Sequence, residues 1–243
     1  MKIDELIPVI DATWPATETH EIGGFAVKRP DPGGNRVSAT RLRDPLGEGF
    51  KMSDLDQAET MMRQQDRAPL FMVTDTQTAL NDALEARGYN ARDHTNALVI
   101  RSADIAAVPP PVTAFDIWPP LAIQTEIWEA GGVDLARRTI MDRALCPKTS
   151  IFGRINDQPA GSAYLGIHND IAMLHALEVV APCRRMGLAA HMMRKAADWA
   201  VQSGATWLCV LVTQQNKGAQ RLYSSLGMKP VGTYHYREQQ EAA

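Results

Sequence analysis

Residues 171–189, IAMLHALEVVAPCRRMGLA, constrain the fold of this 243-residue chain more than any other stretch. A ten-residue apolar run, too apolar for a sheet edge, stops at a proline. Two arginines and a glycine follow, and a helical pattern starts at once. Leu188, Met192, Ala196 and Trp199 recur at helical spacing, and Gly204 offers a C-cap. Next comes TWLCVLV (206–212), a continuous apolar run of the kind found in strands covered on both faces. Two buried strands joined by one amphipathic helix require a sheet with helices packed on its faces.

The flanks extend that pattern. SIFGRI and AGSAYLGIH read as strands joined by a turn at NDQP (156–159), and GGVDLARRTIMDRAL predicts a helix from about Val133 to Leu145. NKGAQRLYSSLG (216–227) predicts a short helix with Ala219, Leu222, Tyr223 and Leu226 on one stripe and Gly227 as its stop. VGTYHYR closes as a strand. The expected fold class is α/β, a sandwich of helices around a mixed sheet. AAVPPPVTAFDIWPP (106–120) marks a boundary, because consecutive prolines favour a stiff, extended connection. The expected organisation is a first domain over 1–108, a proline-rich linker over 109–120 and a second domain over 121–243.

Charge and cysteines narrow the function. The net charge is −3, so no global field recruits nucleic acid or an anionic membrane. Residues 1–110 carry 12 Lys or Arg against 17 Asp or Glu, while residues 111–243 carry 13 against 11. A mildly basic second half suits an anionic ligand. Cys146, Cys183 and Cys209 form no CxxC pair, which fits reduced cytoplasmic thiols and neither a disulfide framework nor a metal site. MKIDELIPVIDATW places acids among its apolar residues and reads as an amphipathic helix, not a signal peptide.

The glycine turn explains its own composition. A helix N-terminus leaves amide N–H groups without intrahelical partners, and its dipole favours an anion. Gly187 lets backbone approach a ligand, Ala189 keeps the next position small, and Arg184 and Arg185 add positive charge. Together they suit a pyrophosphate. The pattern Arg184-x-x-Gly187-x-Ala189 is neither a phosphate-binding GxxxxGK[ST] loop nor a GxGxxG turn.

In this context the stretch resembles motif A of the GNAT N-acetyltransferase superfamily, whose Q/R-x-x-G-x-G/A loop binds coenzyme A. NKGAQRLYSSLGM looks like that family's N-x-x-A-x-x-L-Y-x-x-L-G-F element, with Asn216, Ala219, Leu222, Tyr223, Leu226 and Gly227 in register and Met228 in place of Phe. The resemblance covers roughly residues 148–237. It implies an acetyl-CoA-dependent N-acetyltransferase whose cofactor is held by Val179, Val180, Arg184, Arg185, Met186, Gly187, Leu188, Ala189 and Asn216. It also implies a slot between splayed strands at ALEVV and WLCVLV, with pantetheine along Glu178–Val180. The alternative is a non-catalytic acyl-CoA-binding or regulatory module with the same fold.

Acyl transfer to an amine needs a neutral amine, a stabilised oxyanion and a protonated leaving thiolate. Tyr223 stands where the family places its usual acid, and a strand amide near Glu178 would hold the oxyanion. Glu178 in an apolar strand is a candidate base, or else a structural ion pair. His175 and His235 are further candidate bases, each also readable as a hydrogen-bonded core residue. Cys183 has no Cys-His arrangement to make it a nucleophile.

The first domain reads as a worn copy of the second. LFMVTDTQTALNDALEARGYNARDHT repeats strand, helix, glycine and strand, with Leu84 opposite Tyr223 and Gln77 opposite Asn216. Upstream, Asp44 replaces the Arg/Gln and Glu48 lies between Gly47 and Gly49, while a helix is expected to start at Ser53 with Asp56 completing a capping box. No coenzyme A site is expected there. TWPATETHEIGGFAVKRPDPGGNRVSAT resembles the opening of bacterial tandem-domain acetyltransferases, in which the degenerate half packs against the active one. Arg36, Arg41 and Arg43 either orient an acceptor carboxylate or are solvated surface cations. The acceptor is expected to be a small-molecule or peptide amine, with aminoglycosides, amino acids, polyamines and protein N-termini all open. A homodimer fits equally.

Overall fold

The computed structural model describes residues 1–44 and 50–239. Helix α1 (Ile3–Thr13) buries Ile3, Leu6, Ile7, Val9 and Ile10 on one broad face. An amphipathic face of that kind packs on a core, and α1 lies on the sheet face that carries Met173, Cys209 and Tyr234. Strands β1 (Thr19–Ile22) and β2 (Phe25–Lys28) form a hairpin around Gly23 and Gly24. After a short helix α2 (Asn35–Ser38), β3 (Arg41–Leu42) pairs with β2 to complete a three-stranded sheet.

The chain continues through α3 (Met52–Gln64), β4 (Leu70–Thr74), α4 (Thr78–Ala86), β5 (Tyr89–Arg101) and α5 (Ser102–Ile105). Helix α3 starts at Met52 with no side-chain cap. The expected capping box does not form, because Asp56 pairs with Arg87 at 2.7 Å and Asp54 accepts from the Gly24 amide at 3.0 Å. Gly47, Glu48 and Gly49 lie outside the described residues.

The second half comprises β6 (Ala114–Ile117), α6 (Ala122–Ala130), α7 (Leu135–Arg143), β7 (Lys148–Ile155), β8 (Gln158–His168), β9 (Ile171–Val179), α8 (Leu188–Gln202), β10 (Trp207–Thr213), α9 (Lys217–Ser225) and β11 (Lys229–Gln239). Strand β6 lies inside the proline-rich stretch and pairs with β7 from Ala114↔Gly153 to Ile117↔Ser150. Extended backbone at a sheet edge is a place that prolines tolerate. Helix α7 is shorter than expected, because Asp134 caps it by accepting from the Arg137 amide at 3.0 Å.

Eight strands form one sheet in the order β4-β11-β5-β10-β9-β8-β7-β6. Strand β10 is covered on both faces. Leu208 and Val210 meet Leu188, Met192 and Ala196 of α8 on one side, and Cys209 meets α1 on the other. Helix α8 lies so close that a Cβ on Gly153 or Gly161 would sit 2.6 Å from Met192 Sδ. The fold is an α/β sandwich in two halves. Their strands interleave: β5 of the first half lies between β10 and β11, and β11 lies between β4 and β5.

Candidate active site

The sheet parts at its centre. Strands β9 and β10 pair in parallel only from Ile171↔Trp207 to Leu174↔Val210. Beyond that point the β8–β9 register shifts between Ser162 and Tyr164, and Ala176 takes φ 51. The extra residue bends β9 away from its neighbour, as β-bulges do. A cleft of about 1210 Å³ fills the gap, walled by Leu174–Val179 on one side and Leu211–Thr213 on the other.

One end of the cleft is the glycine turn. After β9 the chain makes a 3₁₀ turn (Ala181–Cys183), and Arg184 Nε donates to Val179 O at 2.9 Å. Gly187 is the N-cap residue of α8 with φ 85, a left-handed conformation that glycine adopts without strain. None of the amides of residues 185–189 donates to an acceptor among the described residues; the nearby backbone bonds come from Cys183, Arg184, Ala190 and His191. Nothing lies within 4 Å of where a Gly187 Cβ would be, so the turn is open on that side. The residues therefore fit a pyrophosphate: free amides, a helix dipole and two arginines converge there.

Arg184, Arg185, Gly187, Leu188, Ala189, Val179 and Asn216 all line the cleft. Val180 and Met186 do not: the Val180 amide donates to Ala160 O at 2.9 Å, and the Met186 side chain is 55% exposed. Asn216 caps α9, its Oδ1 accepting from the Ala219 amide at 3.0 Å. That bond sets where the helix starts, and hence where Tyr223 points.

Tyr223 is buried in the cleft wall and its hydroxyl makes no hydrogen bond among the described residues. Burial, reinforced by the Glu178 charge, pushes the phenol pKa up, so it stays protonated at neutral pH. Glu178 stands across from it at the end of β9, against Gly131, where a Cβ would come 2.7 Å from Glu178 Cγ. The expected alternative of a structural ion pair does not form, since the Glu178 carboxylate makes no hydrogen bond or ion pair with a described residue. Burial raises its pKa, with Arg184 and Arg137 offsetting part of that. A carboxyl whose pKa is raised and a protonated phenol thus line the same cleft.

The histidines separate. His175 Nε2 lies 2.9 Å from Thr13 Oγ1, and Thr13 gives its own proton to Val9 O at 2.7 Å. His175 must then donate through Nε2, leaving Nδ1 to accept from Arg36 Nη1 at 3.2 Å. Burial and the adjacent Arg36 push its pKa well down. With both nitrogens engaged it keeps no lone pair for a substrate. His235 stacks on His94 and meets Asn81 Oδ1 at 3.1 Å, away from the residues that line the cleft. Strand alternation turns its neighbours Tyr234 and Tyr236 the other way, into the cleft wall. In YHYR the aromatics, not the histidine, face the site. Cys183 lines the cleft beside the turn.

The profile of the acetyltransferase (GNAT) family matches residues 117–228. Those residues are a GNAT acetyltransferase domain. The match takes in the glycine turn, Tyr223 and part of the cleft lining, so the chain carries an acyltransferase domain. A GCN5-related N-acetyltransferase from Kribbella flavida is similar over 100% of this chain and 97% of its own, at 18% identity and a TM-score of 0.75. A tandem GNAT protein from the clavulanic acid biosynthesis pathway is similar over 98% of this chain and 92% of its own, at 13% identity and a TM-score of 0.64. A GCN5-related N-acetyltransferase from Sphaerobacter thermophilus covers 89% of this chain and 76% of its own, at 12% identity and a TM-score of 0.63. These likenesses concern the fold. No curated protein sequence matches the chain.

The first half also reaches the cleft of the GNAT domain. Trp14, Gly33, Gly34, Asn35, Arg36, Asp93 and Thr95 contribute to its walls. Sequence patterns single out only Arg36 among these as a ligand-facing residue. The three arginines of that segment have different fates. Arg41 pairs with Asp11, Arg43 pairs with Glu21 at 2.7 Å and is exposed, and Arg36 enters the cleft. Among the described residues no helix is long and apolar enough to cross a membrane, and no group of three or more His, Cys, Asp or Glu could hold a metal.

Proposed function

We propose that the GNAT domain transfers an acetyl group from acetyl-CoA to the amine of a small molecule or peptide by direct attack within a ternary complex. The observation that carries this reading is the row of free amides at residues 185–189, opening onto a cleft that also presents Glu178 and Tyr223. The amides, with Arg184 and Arg185, would bind the pyrophosphate, and the open edge of β9 would guide the pantetheine arm. Acetyl-CoA supplies a thioester carbonyl and a thiolate leaving group.

Glu178 takes a proton from the ammonium acceptor, directly or through water. The neutral nitrogen attacks the carbonyl carbon, and a β9 amide receives the oxyanion. The attacking nitrogen sheds its second proton to water, the C–S bond breaks, and Tyr223 gives its proton to the departing sulfur. In this scheme the first half, residues 1–108, binds no cofactor and walls the acceptor side of the cleft.

The test is thiol release. The purified chain is supplied with acetyl-CoA and a panel of amines, and free CoA is titrated. Release that depends on one class of amine supports the reading. Cofactor binding without release from any amine would make the chain a non-catalytic acyl-CoA-binding module.

A further inference from the structure

The acceptor side of the cleft contains a cation, Arg36, without a counter-ion among the described residues. Arg36 projects from α2, which is fastened to the GNAT domain by its preceding loop. A Cβ on Gly33 would sit 2.1 Å from Ile140 Cδ1, so the Gly33 backbone lies against the Ile140 side chain with no room for a side chain of its own. Asp31 Oδ1 accepts from the Gly33 amide at 2.8 Å, and Asp31 Oδ2 accepts from Arg143 Nη2 at 2.9 Å. Lys28 Nζ adds a bond to Arg36 O at 3.0 Å. The arginine is thus held at a fixed place before any ligand arrives.

Its guanidinium bonds through Nη1 to His175 Nδ1 at 3.2 Å, while its buried Nε has no hydrogen-bond partner among the described residues. The phenols of Tyr234 and Tyr236 stand beside it. Among the described residues no ion pair includes Arg36, and the acids Asp11 and Asp93 are committed elsewhere. Asp11 is held by Lys28 at 2.9 Å and by Arg41. Asp93 is held by Arg92 at 2.9 Å and by Asn35 Nδ2 at 3.2 Å. His175 and Cys209, also close to the guanidinium, are both neutral, since burial lowers the imidazole pKa and raises the thiol pKa. Arginine does not shed its proton, so an uncompensated charge sits partly out of water, an arrangement that an anion would stabilise. Arg36, Tyr234, Tyr236, Glu178 and Tyr223 all line one cleft.

We infer that Arg36, with the hydroxyl of Tyr234, forms a carboxylate subsite, and that the acceptor is therefore a primary amine bearing a carboxylate, of amino-acid type. This inference rests on the acetyl-transfer reading and adds the class of substrate to it. One uncompensated positive charge matches a monoanion, and the planar fork of a guanidinium matches the two oxygens of a carboxylate. The phenol donates a further hydrogen bond, and the carboxylate thereby sets the amine toward Glu178.

The experiment compares the common amino acids, each paired with its own carboxamide, as acceptors for thiol release from acetyl-CoA. The amide has the less basic amine, so its nitrogen is more often neutral, and any preference for the acid reports the carboxylate. The acid is expected to exceed its amide in kcat/KM by about tenfold or more, since a polar site rejects analogues that leave it unpaired. Arg36→Gln brings the two together by raising KM for the acid, Arg36→Lys restores part of the difference, and acetyl-CoA affinity is the same in all three. Amides used as well as acids, or a preference that survives Arg36→Gln, would overturn the subsite. If no amine releases thiol, the acetyl-transfer reading fails separately. The subsite is then read from the melting temperature of the chain with CoA and each amino acid. A rise that Arg36→Gln abolishes supports it, and no rise overturns it.

Discussion

The segments β4–α4–β5 and β10–α9–β11 are two versions of one unit. Each runs strand, helix, glycine, strand, and the glycines match in conformation, Gly88 at φ 80 and Gly227 at φ 85. Exchanging the two units maps the strand order β4-β11-β5-β10 onto itself read backwards. Their helices nevertheless do different things. Tyr223 of α9 faces an open cleft, whereas its counterpart Leu84 is buried among Phe71, Val73 and Leu80 in a closed core. Asn216 caps α9, whereas Gln77 of α4 turns its Oε1 back to the Thr74 amide at 3.2 Å. The outer side of α4 is occupied too, with Asn81 and Glu85 holding Arg237 of β11. One supersecondary unit thus serves as chemistry on one side and as scaffold on the other, and the choice rests on a few side chains of one helix stripe.

The largest effect should come from breaking what the two units share. Ala97 is paired on both sides, with Leu211 of β10 and Gly232 of β11. Ala97→Pro removes a ladder donor in a central strand, at a cost expected to exceed about 3 kcal/mol. Urea denaturation should show both halves destabilised in one transition. Two separate transitions would mean that the halves are independent despite the interleaved strands.

Next in size is the phenol that distinguishes α9 from α4. Tyr223→Phe should lower kcat by at least about tenfold while leaving acetyl-CoA affinity unchanged, in line with the usual contribution of a general acid. Unchanged turnover would remove Tyr223 from the mechanism and make α9 as silent as α4.

The pH profile sharpens the comparison further. The Glu178 pKa is raised, by burial first, so the carboxyl stays protonated to higher pH than an ordinary glutamate. Activity that needs its carboxylate form should therefore be present at high pH and lost as pH falls through that raised value. Glu178→Gln should slow turnover and flatten this acid limb of kcat/KM. A limb unchanged in the variant would assign it to another group.

The smallest expected effect is the cap. Asn216→Ala should cost about 1 kcal/mol of stability, read in the same urea titration, for loss of the bond to the Ala219 amide. A neutral result would show that α9 needs its cap no more than α4 does.

The parts of this molecule that were legible in sequence are those fixed locally. The glycine turn, the α8 stripe and the Asn216–Gly227 element each encode their geometry within a dozen residues, and each forms where expected. The repeated strand–helix–strand pattern was legible too. The interleaving of β5 and β11 was not, because strand partners far apart in sequence leave no periodic signal. Alternation within YHYR was visible, but which face meets the cleft depends on α1 and α4, packed from opposite sides. Arg36, Arg41 and Arg43 look alike in sequence, and only the packing of Gly33 on Ile140 and the placing of Asp11 tell them apart. The strand inside the proline-rich stretch followed from pairing with β7, not from its own composition.

The central claim is that the glycine turn holds the cofactor, and isothermal titration of acetyl-CoA into the wild-type chain and into Gly187→Asp tests it most directly. The variant places a side chain at φ 85 and a negative charge before the free amides. The account predicts one site per wild-type chain, lost in the variant, with both proteins melting as folded chains. Binding that survives Gly187→Asp, or a second site on the wild-type chain, would contradict it.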